Sequence, residues 1–298
     1  MRPMHARGFT LVEMVIAISL IGLLALVAAP MLRLPLGAWL DATRRAEMTN
    51  SLEAIDAKLG DDLRRALPNS VRVRQLGARV LLEVLEVRAW GRHRAGPSGG
   101  AQVCPAVCGA AGAQDALEAA CPETCFTSLG TLEGDPPLVG DWVVVNPLGP
   151  GVPAGDPYFG GNVAVAGGIK TRLTSLAAAP DGSQLRIAAH TFPALAASRR
   201  FYLVATPVTW DCDPGTQRLT RRWNYPVAAV QPLAFGAGAT AAPMATQVSA
   251  CAIRYVAAGS LGRGGLVHLE VRLSVPAADT QVPESALWTV TFAVSEGP

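Results

Sequence analysis

RGFTLVEMVIAISLIGLLALVAAP (residues 7–30) decides the fold of this chain. From Met14 to Leu32 no residue is charged, and Ser19 is the only polar side chain. That run is about as long as a transmembrane helix, ~20 residues at ~1.5 Å each. Arg2, His5 and Arg7 precede it. Basic residues on that side hold a leader in the cytoplasm, so the remainder is expected to be exported. Two residues sit awkwardly in a plain anchor: the carboxylate of Glu13 near its start and Pro30 near its end.

A cleaved secretory signal needs small residues after its apolar core. Val27-Ala28-Ala29 would serve, but Pro30 would then follow the scissile bond, where it blocks that type of cleavage. A plain uncleaved anchor leaves Glu13 unexplained. Arg7-Gly8-Phe9-Thr10-Leu11-Val12-Glu13 resembles the processing site of type IV prepilins. The resemblance implies that a dedicated prepilin peptidase cuts after Gly8 and methylates the new amine on Phe9. It also implies an assembly role for Glu13. The physics agrees: a carboxylate at the bilayer centre costs ~2.5–3.5 kcal/mol. Near the helix start, the helix dipole and the membrane edge reduce that cost. Cleavage would create an amine four residues from Glu13. Pairing with the amine of a neighbouring subunit would fix axial register, as single buried polar residues do in coiled coils. The alternative for Glu13 is a snorkelling carboxylate at the membrane surface.

Beyond the apolar run, Met48, Leu52, Ile55, Leu59, Leu63 and Leu67 recur at helical spacing, and charged residues fill the positions between them. The helix is expected to reach Leu67 and to stop at Pro68-Asn69. Pro30 and Pro35 lack the N–H that each helical turn uses, so a kink or loosened turn is expected between about residues 26 and 38. The prepilin resemblance implies a proline at the position of Pro30. The inner half of the helix would pack on other pilins, the outer half on a globular domain.

After Pro68 the pattern turns to β. Val71–Arg74, Val80–Val87, Trp142–Asn146, Asn162–Ala166, Gln184–His190, Phe201–Val208, Leu219–Trp223, Ala250–Val256, Leu266–Ser274 and Trp288–Val294 read as strands. His268, Glu270 and Arg272 alternate with Val267, Leu269, Val271 and Leu273, the mark of a half-buried antiparallel strand. The expected class is α+β: a long N-terminal helix packed on a C-terminal antiparallel β domain. The expected organisation is a leader over 1–8, a membrane segment over 9–32, an amphipathic continuation over 33–67 and a periplasmic β-rich domain over 68–298.

A second resemblance extends further along the chain. Arg64-Arg65-Ala66-Leu67-Pro68-Asn69-Ser70-Val71-Arg72-Val73, then Val208-Thr209-Trp210-Asp211-Cys212, Trp223, Cys251 and Gly265-Leu266-Val267, is similar to MshO-like minor pilins of mannose-sensitive haemagglutinin (MSHA) pilus systems. The segment 101–133, which holds four cysteines, departs from that family and reads as an insertion.

Six cysteines suit disulfides in an exported domain. Cys212 and Cys251 would close one loop. Cys104, Cys108, Cys121 and Cys125 form two C-x3-C units. If each unit is helical, its two cysteines share a face, and crosswise bridges Cys104–Cys125 and Cys108–Cys121 become possible. Three pairings remain open, and zinc is the alternative occupant. Neither unit has the C-x2-C spacing of a thioredoxin-like redox site.

Nothing marks an enzyme. His93, His190 and His268 show no metal-ligand spacing, and no nucleophile elbow, Walker or H-E-x-x-H motif occurs. Asp156, Asp211 and Asp213 are explained as turn formers. No cofactor or metal is expected. The net charge of +2 gives no field for nucleic acid, and no such partner is expected. Three roles follow. The first is a minor pilin that initiates, caps or supports a filament, with a type II secretion pseudopilin as its variant. The second is an adhesive tip module. The third is a membrane-anchored enzyme. In the first, the partners are other major and minor pilins, the prepilin peptidase and an inner-membrane assembly platform. The location is then the inner membrane, with the C-terminal domain in the periplasm, and a pilus or pseudopilus after assembly. A domain as bulky as 68–298 favours a minor subunit over one that tiles a filament densely.

Overall fold

A computed structural model describes residues 10–94, 115–119, 121–180, 182–257, 265–275 and 283–294. The chain divides into two units. One holds residues 1–50 and 276–284, the other residues 51–275 and 285–298.

Helix α1 (Leu11–Arg64) is helical at every position, including 30 and 35. The expected loosening around the two prolines does not break it. A proline removes one backbone bond, and the Leu, Ala and Met neighbours are strong helix formers that sustain the rest. The helix ends three residues before the expected Leu67, because the chain there begins to pair with a strand.

In the second unit, Leu52, Ile55, Leu59 and Leu63 form the buried stripe of the helix. Leu67 N–H then donates to Leu85 O at 2.7 Å, and Val87 N–H donates to Arg65 O at 2.8 Å. Asn69 takes a left-handed φ of 59° and turns the chain into β1 (Arg72–Leu76).

The β architecture is organised by two long strands, β2 (Arg79–His93) and β7 (Arg200–Asp213). They pair antiparallel from Val80↔Cys212 to Arg92↔Arg200. Each serves two layers. The first half of β2 and the last half of β7 lie in a five-stranded sheet, β1-β2-β7-β8-β9, with β8 at Arg218–Trp223 and β9 at Thr240–Thr246. The other halves pair with β3 (Pro122–Gly134) and β4 (Trp142–Val145). From there β5 (Lys170–Ala179) and β6 (Gly182–Thr191) complete the ring β2-β3-β6-β5-β4-β7. Because β2 and β7 also pair, the ring closes into a six-stranded antiparallel barrel.

Period-2 alternation sorts the barrel side chains. Val143, Val145, Phe201 and Leu203 join Phe126, Leu185 and Ile187 in one buried cluster, with Phe126 edge-on to Phe201 at 4.9 Å. Trp142, Val144, Tyr202 and Val204 join Tyr158, Ile169 and Leu67 in another. A separate three-stranded sheet comprises β10 (Val248–Val256), β11 (Gly265–Val275) and β12 (Glu284–Val294).

Three strands, β3, β5 and β9, were not expected from sequence. β9 carries Pro243 but forms a sheet edge, where a missing N–H is harmless. β3 and β5 are rich in Thr, Ser, Gly and Ala, and only closure of the barrel makes them extended. The expected strand at 162–166 is a loop instead. Left-handed Gly160, Gly161 and Gly167 bracket it with turns.

Candidate processing and assembly segment, and the anchors behind it

Thr10 caps the helix: its Oγ1 accepts Glu13 N–H at 3.2 Å, and its carbonyl accepts Met14 N–H at 3.1 Å. Thr10-x-x-Glu13 has the spacing of a capping box, with Glu13 at the third helical position. The sequence reading missed this second use of the glutamate. Glu13 lies in the first turn and is exposed, where the positive end of the helix dipole favours its charge. Gly8 and Phe9 lie outside the described residues. Position 30 lies within the helical backbone.

From Leu11 to Ala28 the helix is long and apolar enough to cross a membrane, and none of that stretch is buried. Leu11, Met14, Ile18, Ile21 and Leu24 are exposed, and so are Val12, Ile16, Leu20, Leu23 and Val27. Apolar residues on every side rule out a one-sided amphipathic helix and call for an apolar surround. Ser19 satisfies its hydroxyl internally on Val15 O at 2.8 Å, so it adds no unpaired polar group.

The globular unit is held to its own part of the helix by a buried charge. Asp62 accepts Arg221 Nε at 2.6 Å and Nη2 at 2.9 Å, and its Oδ2 accepts Trp210 Nε1–H at 2.9 Å. Lys58 Nζ approaches its Oδ1 at 3.2 Å. Sequence reasoning passed over Asp62. The signal was a carboxylate three residues past Leu59 and seven past Ile55, on the apolar stripe itself.

A second buried pair lies on the opposite face of the five-stranded sheet. Arg72 Nη2 and Nε donate to Glu83 at 3.0 and 3.2 Å, and the guanidinium stacks on Tyr158 at 3.6 Å. Burial raises the Glu83 carboxyl above the usual range despite Arg72. The expected turn role of Asp211 is corrected. It is a buried residue of β7 that accepts both nitrogens of an Arg79 fork at 2.8 Å. Asp156 and Asp213 do cap turns, on Gly151, Tyr158 and Gly215 N–H groups.

Cys212 and Cys251 form a disulfide that joins β7 to β10. Cys121 and Cys125 are both disulfide-bonded and buried, so neither is a thiolate available to zinc. Cys104 and Cys108 lie outside the described residues, and the pairing of these four stays open. The helical reading of the second C-x3-C unit is corrected: Cys125 lies in β3, with Cys121 just before it. A spacing of four puts two residues on one face of a strand as well as of a helix. Among the described residues, no group of three His, Cys, Asp or Glu is placed to hold a metal. His93, His190 and His268 fall on β2, β6 and β11.

No curated protein and no solved structure matches the chain. Residues 3–29 match the prokaryotic N-terminal methylation motif. The match includes the capped, all-round apolar helix start over residues 10–28. The chain therefore carries a type IV pilin-like signal, of the kind that marks pilin- and pseudopilin-like substrates of prepilin peptidase.

Proposed function

We propose that this chain is a minor pilin that initiates, caps or supports a type IV filament of the MSHA type. The observation that carries the proposal is the coincidence of the methylation motif with a helix exposed and apolar on every side over Leu11–Ala28. Such a surface needs lipid before assembly and other helices after it. In this reading residues 1–8 are a leader removed after Gly8, and Phe9 becomes the methylated N-terminus. The membrane segment covers 9–32, the amphipathic continuation 33–67, and 68–298 is the periplasmic domain. Glu13 pairs with the new amine of a neighbouring subunit and sets register. The partners are the prepilin peptidase, other pilins and the assembly platform. The role is structural and not enzymatic.

Mass spectrometry of the mature N-terminus tests the processing step. An N-methylated Phe9 is expected. An intact Met1 or a start at Pro30 would overturn it. Localisation of the tagged chain in pilus and type II secretion backgrounds separates the MSHA-type assignment from a secretion pseudopilin: incorporation only into the secretion pseudopilus would reverse it.

A further inference from the structure

The outer face of the five-stranded sheet carries an open depression of about 610 Å3, lined by Arg79, Asp211, Asp213, Arg218, Thr220 and Arg222 among others. Alternation along β8 builds it. Arg218, Thr220 and Arg222 point to this face, while Arg221 points to Asp62 on the other.

The charges are arranged unevenly. Asp211 is buried and holds two guanidiniums, Arg79 through a fork at 2.8 Å and Arg222 through Nε at 3.3 Å. One carboxylate thus orients two cations and neutralises one. Arg79 Nη2 is further held by Leu233 O at 3.2 Å, and Arg222 packs over Phe235 at 5.0 Å. The terminal nitrogens of Arg222 make no hydrogen bond among the described residues. Arg218 is exposed and has no ion pair among them. Asp213 turns its Oδ1 to Gly215 N–H at 2.9 Å. Three guanidiniums against two carboxylates leave a surplus positive charge, and Arg222 is held through its Nε with its terminal nitrogens turned to no other partner among the described residues. A guanidinium so oriented favours a planar carboxylate, with the exposed Arg218 beside it in the lining as a second cation. Thr216 and Thr220 add hydroxyls, and the small flat surfaces of Ala241 and Pro243 complete the lining. Among the described residues that line it, none is a large apolar side chain that would anchor a peptide.

We propose that this depression binds an acidic saccharide, its uronate carboxylate on Arg218 and Arg222 and its hydroxyls on the threonines. The assignment does not depend on the filament reading, and the N-terminus measurement tests that separately.

The test titrates the full-length chain in detergent micelles with digalacturonate, neutral galactobiose and a hexaglutamate peptide. Digalacturonate should bind, galactobiose should bind at least ~tenfold more weakly, and salt should weaken the acidic ligand selectively. Arg218→Glu, at an exposed site, should weaken digalacturonate at least ~tenfold with an unchanged denaturation midpoint. Thr216→Val, in the exposed turn, should weaken it a few-fold. Equal binding of neutral and acidic sugars, no binding, or binding indifferent to Arg218→Glu would overturn the proposal. Tighter binding of hexaglutamate than of the sugar would overturn it in favour of an acidic protein partner.

Discussion

Arg221 Nε lies 2.6 Å from Asp62 Oδ2, and Arg221 Nη2 lies 2.9 Å from Asp62 Oδ1. One side-on ion pair therefore ties the last turns of the helix to β8, with both side chains withdrawn from solvent. Trp210 completes the arrangement from β7. The helix and two consecutive strands, 148 and 159 residues further on, meet on one carboxylate.

Removing that carboxylate leaves Arg221 charged and unpaired in the interior. Asp62→Ala is expected to destabilise the globular unit by ~3–5 kcal/mol. Arg221→Ala should do less damage, because Lys58 and Trp210 still serve Asp62. Urea midpoints of the two variants check the order; equal losses would mean that Lys58 and Trp210 contribute nothing.

Glu123 supplies a pH dependence. It is fully buried in β3, Glu118 N–H donates to its Oε1 at 3.1 Å, and its Oε2 has no hydrogen-bond partner among the described residues. Burial raises its carboxyl to about 7, helped by the Glu118 and Asp115 carboxylates and opposed by the Glu118 N–H. The folded state therefore holds a proton that the unfolded chain releases near the ordinary carboxylate value of about 4.5. The stabilisation is complete below pH ~4.5 and is lost as pH rises to ~7, by at most about 3 kcal/mol. Denaturation of wild type and Glu123→Gln across that range should show a shallower slope in the variant, in which Glu83 still contributes; equal slopes would remove the role of Glu123.

The helix carries a glycine where a better helix former is expected. A Cβ at Gly60 would lie 3.1 Å from Phe292 Cε1 of β12. Gly60→Leu should therefore lower stability by ~1–3 kcal/mol through overpacking, despite the gain in helix propensity. An unchanged thermal midpoint would show that β12 yields freely.

The disulfide Cys212–Cys251 spans a sequence separation of 39. On the chain-entropy estimate, replacing both cysteines with serine should cost about 4 kcal/mol. Guanidinium denaturation under non-reducing conditions measures it, and reduced wild type should match the variant if the other bridges are kept apart by a Cys121→Ser, Cys125→Ser background.

At the N-terminus, Glu13→Ala is expected to be cleaved and methylated normally but to enter filaments poorly. Gly8→Val should block cleavage. Mass spectrometry of the membrane fraction and immunoblots of sheared filaments separate the two steps. Incorporation of Glu13→Ala at the wild-type level would remove the register role.

What the sequence determined by itself was local. An uncharged run of transmembrane length, a basic leader and a glutamate at fixed spacing from Gly8 are legible without contacts, because membrane insertion and peptidase recognition act on a linear segment. The stripe Leu52-Ile55-Leu59-Leu63 and the alternation around His268 were legible for the same reason: period alone assigns a face. What the tertiary structure decided was long-range. The ring closes only because β2 pairs with β7 along its length as well as with β1 and β3, and no local pattern encodes two sets of partners. Asp211 looked like a turn former until its neighbours proved to be Arg79 and Arg222. Asp62 looked like one more helix charge until Arg221, 159 residues away, met it. Burial turns such charges from solvated surface groups into fasteners, and burial is settled by the whole fold at once.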